Sequence, residues 1–248
     1  MKKQSFVIMA ALIIASTAYA QDEIQPQLLI DLPTAATLDR GSYAIDLRLF
    51  GNGGLLGNVG VGITPRFMFG LSYGGENIVG EGGIDWNPRP GIQGRFRIID
   101  ETYGMPAITL GFDSQGFGAH VDTLDRYINK SRGLFAVASK NYAFLYNLGF
   151  HGGINYSLEG DDNDEDLNFF FGADLSFNRE IRVMAEYDLA RNDNENDQVF
   201  GSGDGYLNAG ARWSISDRFF LQFTLKNLFK NGPTGMAREI KIGYFEYF

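Results

Sequence analysis

The chain has two histidines, His120 and His151, and no cysteine. Nucleophilic chemistry would therefore have to pair a serine with a histidine, with a third group orienting the ring. His151, Asn155 and Ser157 fall on one face of an alternating segment. Two-residue steps along a strand separate neighbours on a face by about 7 Å, beyond hydrogen-bond reach, so the triad geometry is not met. His120 falls in a loop. A non-enzymatic protein is expected, with an outer-membrane lipid hydrolase or a purely structural plugged barrel as the alternatives. Two acidic runs offer hard oxygen ligands: Asp161, Asp162, Asp164, Glu165 and Asp166, and then Asp193, Glu195 and Asp197. Such density suits Ca²⁺, with Asp161, Asp162, Asp164 and Asp166 as the candidates. Neither run has EF-hand spacing, and solvated loop charge is the plainer reading. The glycine strings at 51–54 and 201–205 lack a P-loop lysine and a following helix. No cofactor is implied.

A larger set of charges recurs at every second position. Asp46, Arg48, Arg95, Arg97, Asp113, Lys140, Asp174, Arg182, Glu186, Asp188, Arg212, Arg218, Lys226, Glu239 and Lys241, with His151, share the polar faces of alternating segments. Both signs are present. Such a set can fill an interior with ion pairs or line a selective pore. Left unpaired in an interior, each would cost several kcal/mol.

Strands must position them. In 144–156 the even positions carry Phe144, Tyr146, Leu148, Phe150, Ile154 and Tyr156, while the odd positions are mostly small or polar. The same period of two, the signature of a strand, runs through 42–50, 57–64, 66–74, 92–99, 106–113, 132–140, 167–177, 181–189, 205–215, 218–226 and 238–247. That makes about twelve segments near the length a tilted strand needs to cross a bilayer. Tight links (64–65, 100–105, 141–142, 178–180, 216–217) alternate with longer ones (51–56, 75–91, 114–131, 158–166, 191–204, 228–237). Outer-membrane barrels have short periplasmic turns and longer outer loops. The prediction is an all-β, closed, antiparallel transmembrane barrel of about twelve strands with both termini periplasmic. Phe144, Phe150, Phe169, Phe171, Val183, Phe219, Leu221 and Phe223 should meet lipid, because a lipid-facing Arg or Lys costs about 2–4 kcal/mol at the midplane. A soluble sandwich shares the alternation, but the near absence of charge on the apolar faces favours the membrane.

Residues 1–20 read as a secretory signal peptide: Lys2 and Lys3, an apolar run from Phe6 to Ile14, and the small-x-small Ala18-Tyr19-Ala20. Residues 21–40 are then a periplasmic lead-in and 41–248 the barrel. Without Lys2 and Lys3 the chain has 19 basic against 30 acidic residues, which excludes nucleic acid as a partner. The terminal Phe248, sharing a face with Ile240, Ile242 and Tyr244, resembles the signal read by the barrel-insertion machinery. The expected surroundings are outer-membrane lipid, that machinery, and a polysaccharide or small solute in the lumen.

Two stretches, GRFRIIDETYGMPAITLGFDSQGFG (94–118) and RGLFAVASKNYAFLYNLGFHGG (132–153), resemble the YjbH-like group of bacterial outer-membrane proteins. The shared features are a basic strand ending near Glu101, Pro106-Ala107, Gly111-Phe112-Asp113, glycines through Gly118, and Val137-Ala138-Ser139-Lys140. DLPTA at 31–35 and Gly41 resemble the approach to that group's first strand. The likeness covers about a quarter of the chain. It implies an outer-membrane barrel associated with exopolysaccharide production and export; with the lumen charges, the expected function is a narrow pore or an accessory to that export.

Overall fold

Twelve strands close on themselves in a computed structural model that describes residues 25–159, 161–194, 200–232 and 235–248. The expected signal peptide lies outside these residues. In chain order the strands are β1 (Ser42–Phe50), β2 (Gly54–Thr64), β3 (Phe67–Glu76), β4 (Asp85–Trp86), β5 (Gly91–Ile99), β6 (Ala107–Asp113), β7 (Phe117–Val121) and β8 (Arg126–Asn129). They continue with β9 (Gly133–Tyr142), β10 (Asn147–Tyr156), β11 (Asn168–Ser176), β12 (Ile181–Asp188), β13 (Tyr206–Ser214), β14 (Phe219–Lys226) and β15 (Ala237–Tyr247). The wall omits β4, β7 and β8. Every wall strand pairs antiparallel with its neighbours in sequence, and β1 pairs with β15 from Ser42↔Tyr247 to Leu49↔Ile240. Closure leaves no unpaired edge, which a strand wall in lipid requires.

Alternation decides which way each side chain points. Phe150, Phe169, Phe171, Val183, Phe219 and Phe223 stand outward and exposed, with Leu221 on the same face of β14. Phe144 is exposed too, but it sits in the turn before β10. Outward-facing charges within the described wall strands are confined to strand ends: Lys140, Arg238 and Glu246.

Three expectations are corrected. Lys140 lies on the outward face of β9, where Leu134 is exposed, while Phe135, Val137 and Ser139 are buried inward. Both faces of that strand are apolar, so the pattern had no contrast from which to read the face. Lys140 reaches the turn-side rim, 3.3 Å from Glu101. Arg218 precedes β14, and its exposed side chain pairs with Glu246 at 2.6 Å on the same rim. The link expected at 51–56 is a three-residue turn, Gly51-Asn52-Gly53, with β2 already paired at Gly54. Asn52 and Gly53 both have positive φ (57° and 63°), the pattern of a type I′ hairpin turn.

The largest departure is the lead-in. Residues 25–40 do not hang below the barrel. They fold into it as a short hairpin, with Leu28 bridged to Pro33, the Leu29 amide donating to the Leu32 carbonyl and Thr34 to Gln27. Leu29, Ile30, Leu32, Ala35 and Leu38 are each no more than 3% exposed. Leu32 and Ala35 pack with Ala107, Phe135, Val137 and Phe170, and Leu29 and Ile30 pack with Met184. Burying a side chain of this size contributes about 1.5–3 kcal/mol. The lumen is thus a packed core.

The outward assignment has a measurable consequence. Phe171→Lys is expected to lower barrel stability by about 2–4 kcal/mol in lipid, read from reversible denaturant unfolding in vesicles. A change below 0.5 kcal/mol would place Phe171 off the lipid face.

Candidate functional site

The lumen site is assembled from a wall of alternating polar side chains and the backbone of the hairpin. Glu186 of β12, 1% exposed, sits opposite the hairpin tip. Its carboxylate accepts three consecutive backbone amides: Ile30 (3.0 Å), Asp31 (2.9 Å) and Leu32 (3.0 Å). Asn208 of β13 donates to the same group at 2.8 Å. Turn amides at the tip have no partner inside the hairpin, and burying them bare would cost about 1–3 kcal/mol each. One carboxylate satisfies all three.

Asp31 leads into an ion cluster. Its two oxygens lie 2.6 Å from Arg48 on β1 and 2.7 Å from Lys226 on β14. Glu239 on β15 completes the square, 3.4 Å from Arg48 and 3.2 Å from Lys226. Burial alone would raise the Asp31 pKa, but Lys226 and Arg48 outweigh it and hold the group at about 2.

Further contacts grip both arms. The Ile30 carbonyl accepts from Arg48 (2.6 Å), the Leu29 carbonyl from Gln222 (3.2 Å) and the Gln27 carbonyl from Arg95 (2.6 Å). Arg97, on the same face of β5, donates to the Thr37 hydroxyl. The Ala35 carbonyl accepts from Thr109 at 2.8 Å, and the Ala35 amide donates to Ser139 at 2.8 Å. Small wall residues make room. A Cβ on Gly172 would stand 2.5 Å from a Leu29 methyl, and one on Gly62 would overlap the Asp39 carbonyl at 1.8 Å.

Ser139 also faces His151. Its Oγ lies 2.8 Å from Nδ1, and Nε2 of His151 lies 2.8 Å from Asp174. The order Ser–His–Asp is that of a hydrolase triad, but with Ser139 in place of the expected Ser157. Ser157 instead accepts the Glu159 amide. Ser139 Oγ is occupied by the Ala35 amide, so the relay ends on the hairpin and acts as a latch. Asp174 continues to Arg182 at 3.4 Å.

Of the other lumen candidates, Asp188 pairs with Arg132, Arg212 donates to Gln222 at 2.8 Å, and Lys241 lies 3.3 Å from Asp46. Asp113 accepts the Gln115 amide at 2.9 Å. Beside the hairpin on the turn side is a cavity of about 210 Å³, whose lining includes Gln27, Thr37, Arg97, Glu101, Ser139 and His151. Near the tip a pocket of about 40 Å³ borders Asp46, Arg48, Asp113 and Lys241.

The opposite mouth is covered by the β7–β8 loop. Phe117, buried, lies 4.4 Å from the Arg48 guanidinium and 4.8 Å from Lys226 Nζ, so the two cations that hold Asp31 also meet this ring. Behind it Arg126 donates to Asp162 and, at 3.0 Å, to Asp193. Lys130 lies 2.7 Å from Asp162. His120 approaches Asp122 at 3.0 Å. The calcium candidates are thereby split: Asp162 serves the two cations, Asp164 accepts the Asn194 amide at 2.9 Å, and Asp161 and Asp166 face solvent. Burial would raise the Asp162 pKa, but Lys130 and Arg126 pull it below its usual value. No cluster of three His, Asp or Glu fit for a metal occurs among the described residues. Of the second acidic run, Glu195 and Asp197 lie outside them.

Sequence reasoning missed the hairpin itself. Its signals were DLPTA, with an apolar run just before it, and inward glycines at 62 and 172.

No protein-family model and no curated protein matches the chain. Among solved structures it is similar to a KdgM porin, with a TM-score of 0.52 and 8% identity over 82% of this chain and 98% of that one. A KdgM porin in complex with disordered oligogalacturonate matches equally, with the same score, identity and coverage. At that identity the likeness shows the fold: a closed twelve-stranded barrel of the outer-membrane kind.

Asp31 makes hairpin docking pH-dependent. Its pKa is about 2 docked and about 3.9 when free. The stabilisation is therefore complete above pH 4 and lost as pH falls through 4 towards 2. The loss is on the order of 3 kcal/mol, a roughly eightyfold shift in the docking equilibrium. A spin label at Ala36→Cys should gain mobility across that window, and Asp31→Asn should flatten the response there. Equal pH profiles for both would remove Asp31 from the latch.

Proposed function

We propose that this protein is a non-enzymatic outer-membrane channel held shut by its own N-terminal hairpin. The carrying observation is the triple amide grip of Glu186 on residues 30–32, at the centre of a lumen whose wall carries many polar and charged groups. A purely structural interior needs no such arrangement, since the twelve-stranded wall closes without residues 25–40. The hairpin enters from the turn side and returns there, as the Phe248 amide bonded to the Gly41 carbonyl at 2.7 Å places its exit beside the chain's end. In this reading the turns and both termini are periplasmic, and the hairpin can be withdrawn without opening the wall. The exposed apolar belt supports the membrane setting, and the shared fold with KdgM porins supports a channel. The cargo is a small polar solute or a strand of surface polymer. The resemblance of residues 91–153 to the YjbH-like group favours the polymer and an accessory role in its export. The Ser139 latch makes a hydrolytic role unnecessary, and His151→Ala is expected to leave no lipase activity to lose.

Planar-bilayer recording tests this reading. The intact chain should be silent or show rare openings. Deletion of residues 25–38, or Glu186→Gln, should raise open probability at least tenfold. A deletion variant that folds, judged by heat-modifiable migration, yet conducts no better than the intact protein would refute the channel.

A further inference from the structure

The hairpin shows what its replacement must look like. Among the described residues, six wall side chains inside the lumen donate to its oxygens: Arg48, Lys226, Gln222, Arg95, Arg97 and Thr109. Among the described wall residues, only Glu186 and Ser139 accept from its amides. Arg95 has capacity to spare. It is 1% exposed, and its Nε and Nη2 have no hydrogen-bond partner among the described residues. Those two atoms form the edge of a guanidinium that holds a carboxylate side-on, through two parallel bonds. Withdrawing the hairpin takes the Asp31 carboxylate from Arg48 and Lys226, leaving Glu239 to face both cations, and it takes the last acceptor from Arg95. Buried cations without partners are strongly disfavoured. The hairpin leaves readily only when another chain brings oxygen acceptors and negative charge.

We infer that the lumen binds a linear, carboxylate-bearing saccharide, a hexuronate chain. One carboxylate takes the place of Asp31 between Arg48 and Lys226, another takes the open edge of Arg95, and binding expels the hairpin. Asp31 is thus a resident competitor for its own ligand site. The excess of wall donors favours a saccharide over an acidic peptide, because a peptide brings as many amide donors as carbonyl acceptors while a uronate chain offers acceptor oxygens along its whole length. The inference rests on the resting plug proposed above.

The chain lacks cysteine, so Ala35→Cys gives a single thiol at a position 1% exposed. Its maleimide labelling rate in detergent micelles reports hairpin withdrawal. A mannuronate hexasaccharide is expected to accelerate labelling at least tenfold, with saturation, while maltohexaose leaves it unchanged. Lys226→Met should raise the resting rate and abolish most of the acceleration. Equal acceleration by both sugars, or acceleration by hexaglutamate and not by the uronate, would overturn the saccharide assignment. Slow labelling that no oligomer changes would overturn it and leave the plug standing. Fast labelling without ligand would instead strike the resting plug itself. Bilayer recording of the unmodified chain, in which the hexuronate should raise open probability, gives the same answer with no variant to fold.

Discussion

Three backbone amides in a row need one acceptor, and Glu186 is that acceptor. The hairpin tip has to turn inside a space closed to bulk water, so its amides must be met by protein. Placing one carboxylate opposite residues 30–32 resolves that demand and fixes the height at which the hairpin stops. Everything else in the lumen is arranged from this point: Asp31 turned towards Arg48 and Lys226, Leu29 seated over Gly172, and Ala35 between Thr109 and Ser139. The contacts are mutual, so a change at Glu186 should be felt at both ends of the hairpin.

The same economy couples the two mouths. Arg48 and Lys226 touch the hairpin tip on one side and the Phe117 ring on the other. A cation cannot move towards one partner without loosening the other, so displacement of the β7–β8 loop and withdrawal of the hairpin share an energy term, and such coupling is reciprocal. The strand pairing of the wall is indifferent to either motion, because its hydrogen bonds run from strand to strand and its apolar belt faces outward.

The barrel was legible because the rule that makes it is local. In β11, β12 and β14 one face is aromatic or aliphatic and the other mostly polar, and lipid and lumen sort them by alternation alone. The reading failed where contrast failed. In β9, Phe135 and Val137 turn inward against Leu32 and Ala35, so apolar residues occupy both faces and Lys140 was assigned to the wrong one. Arg218 was misread because it lies one residue before its strand begins. The site was half legible. Glu186, Arg48, Arg95 and Lys226 could be placed inward, but their partner could not be found, since residues 25–40 have neither strand alternation nor a helical period and their burial depends on a barrel formed later in the chain. DLPTA, singled out for its resemblance, lies at the hairpin tip, and Val137 and Ser139 of the second resembling stretch lie in the wall that receives it.

Amide hydrogen exchange of residues 30–32, followed by NMR on the protein in micelles at neutral pH, bears most directly on the central claim. If the Glu186 carboxylate holds the hairpin in the lumen, these three amides exchange as slowly as those of β12 and β13, and all three are released together in Glu186→Gln. Exchange at the rate of an open loop in the intact chain would contradict the account.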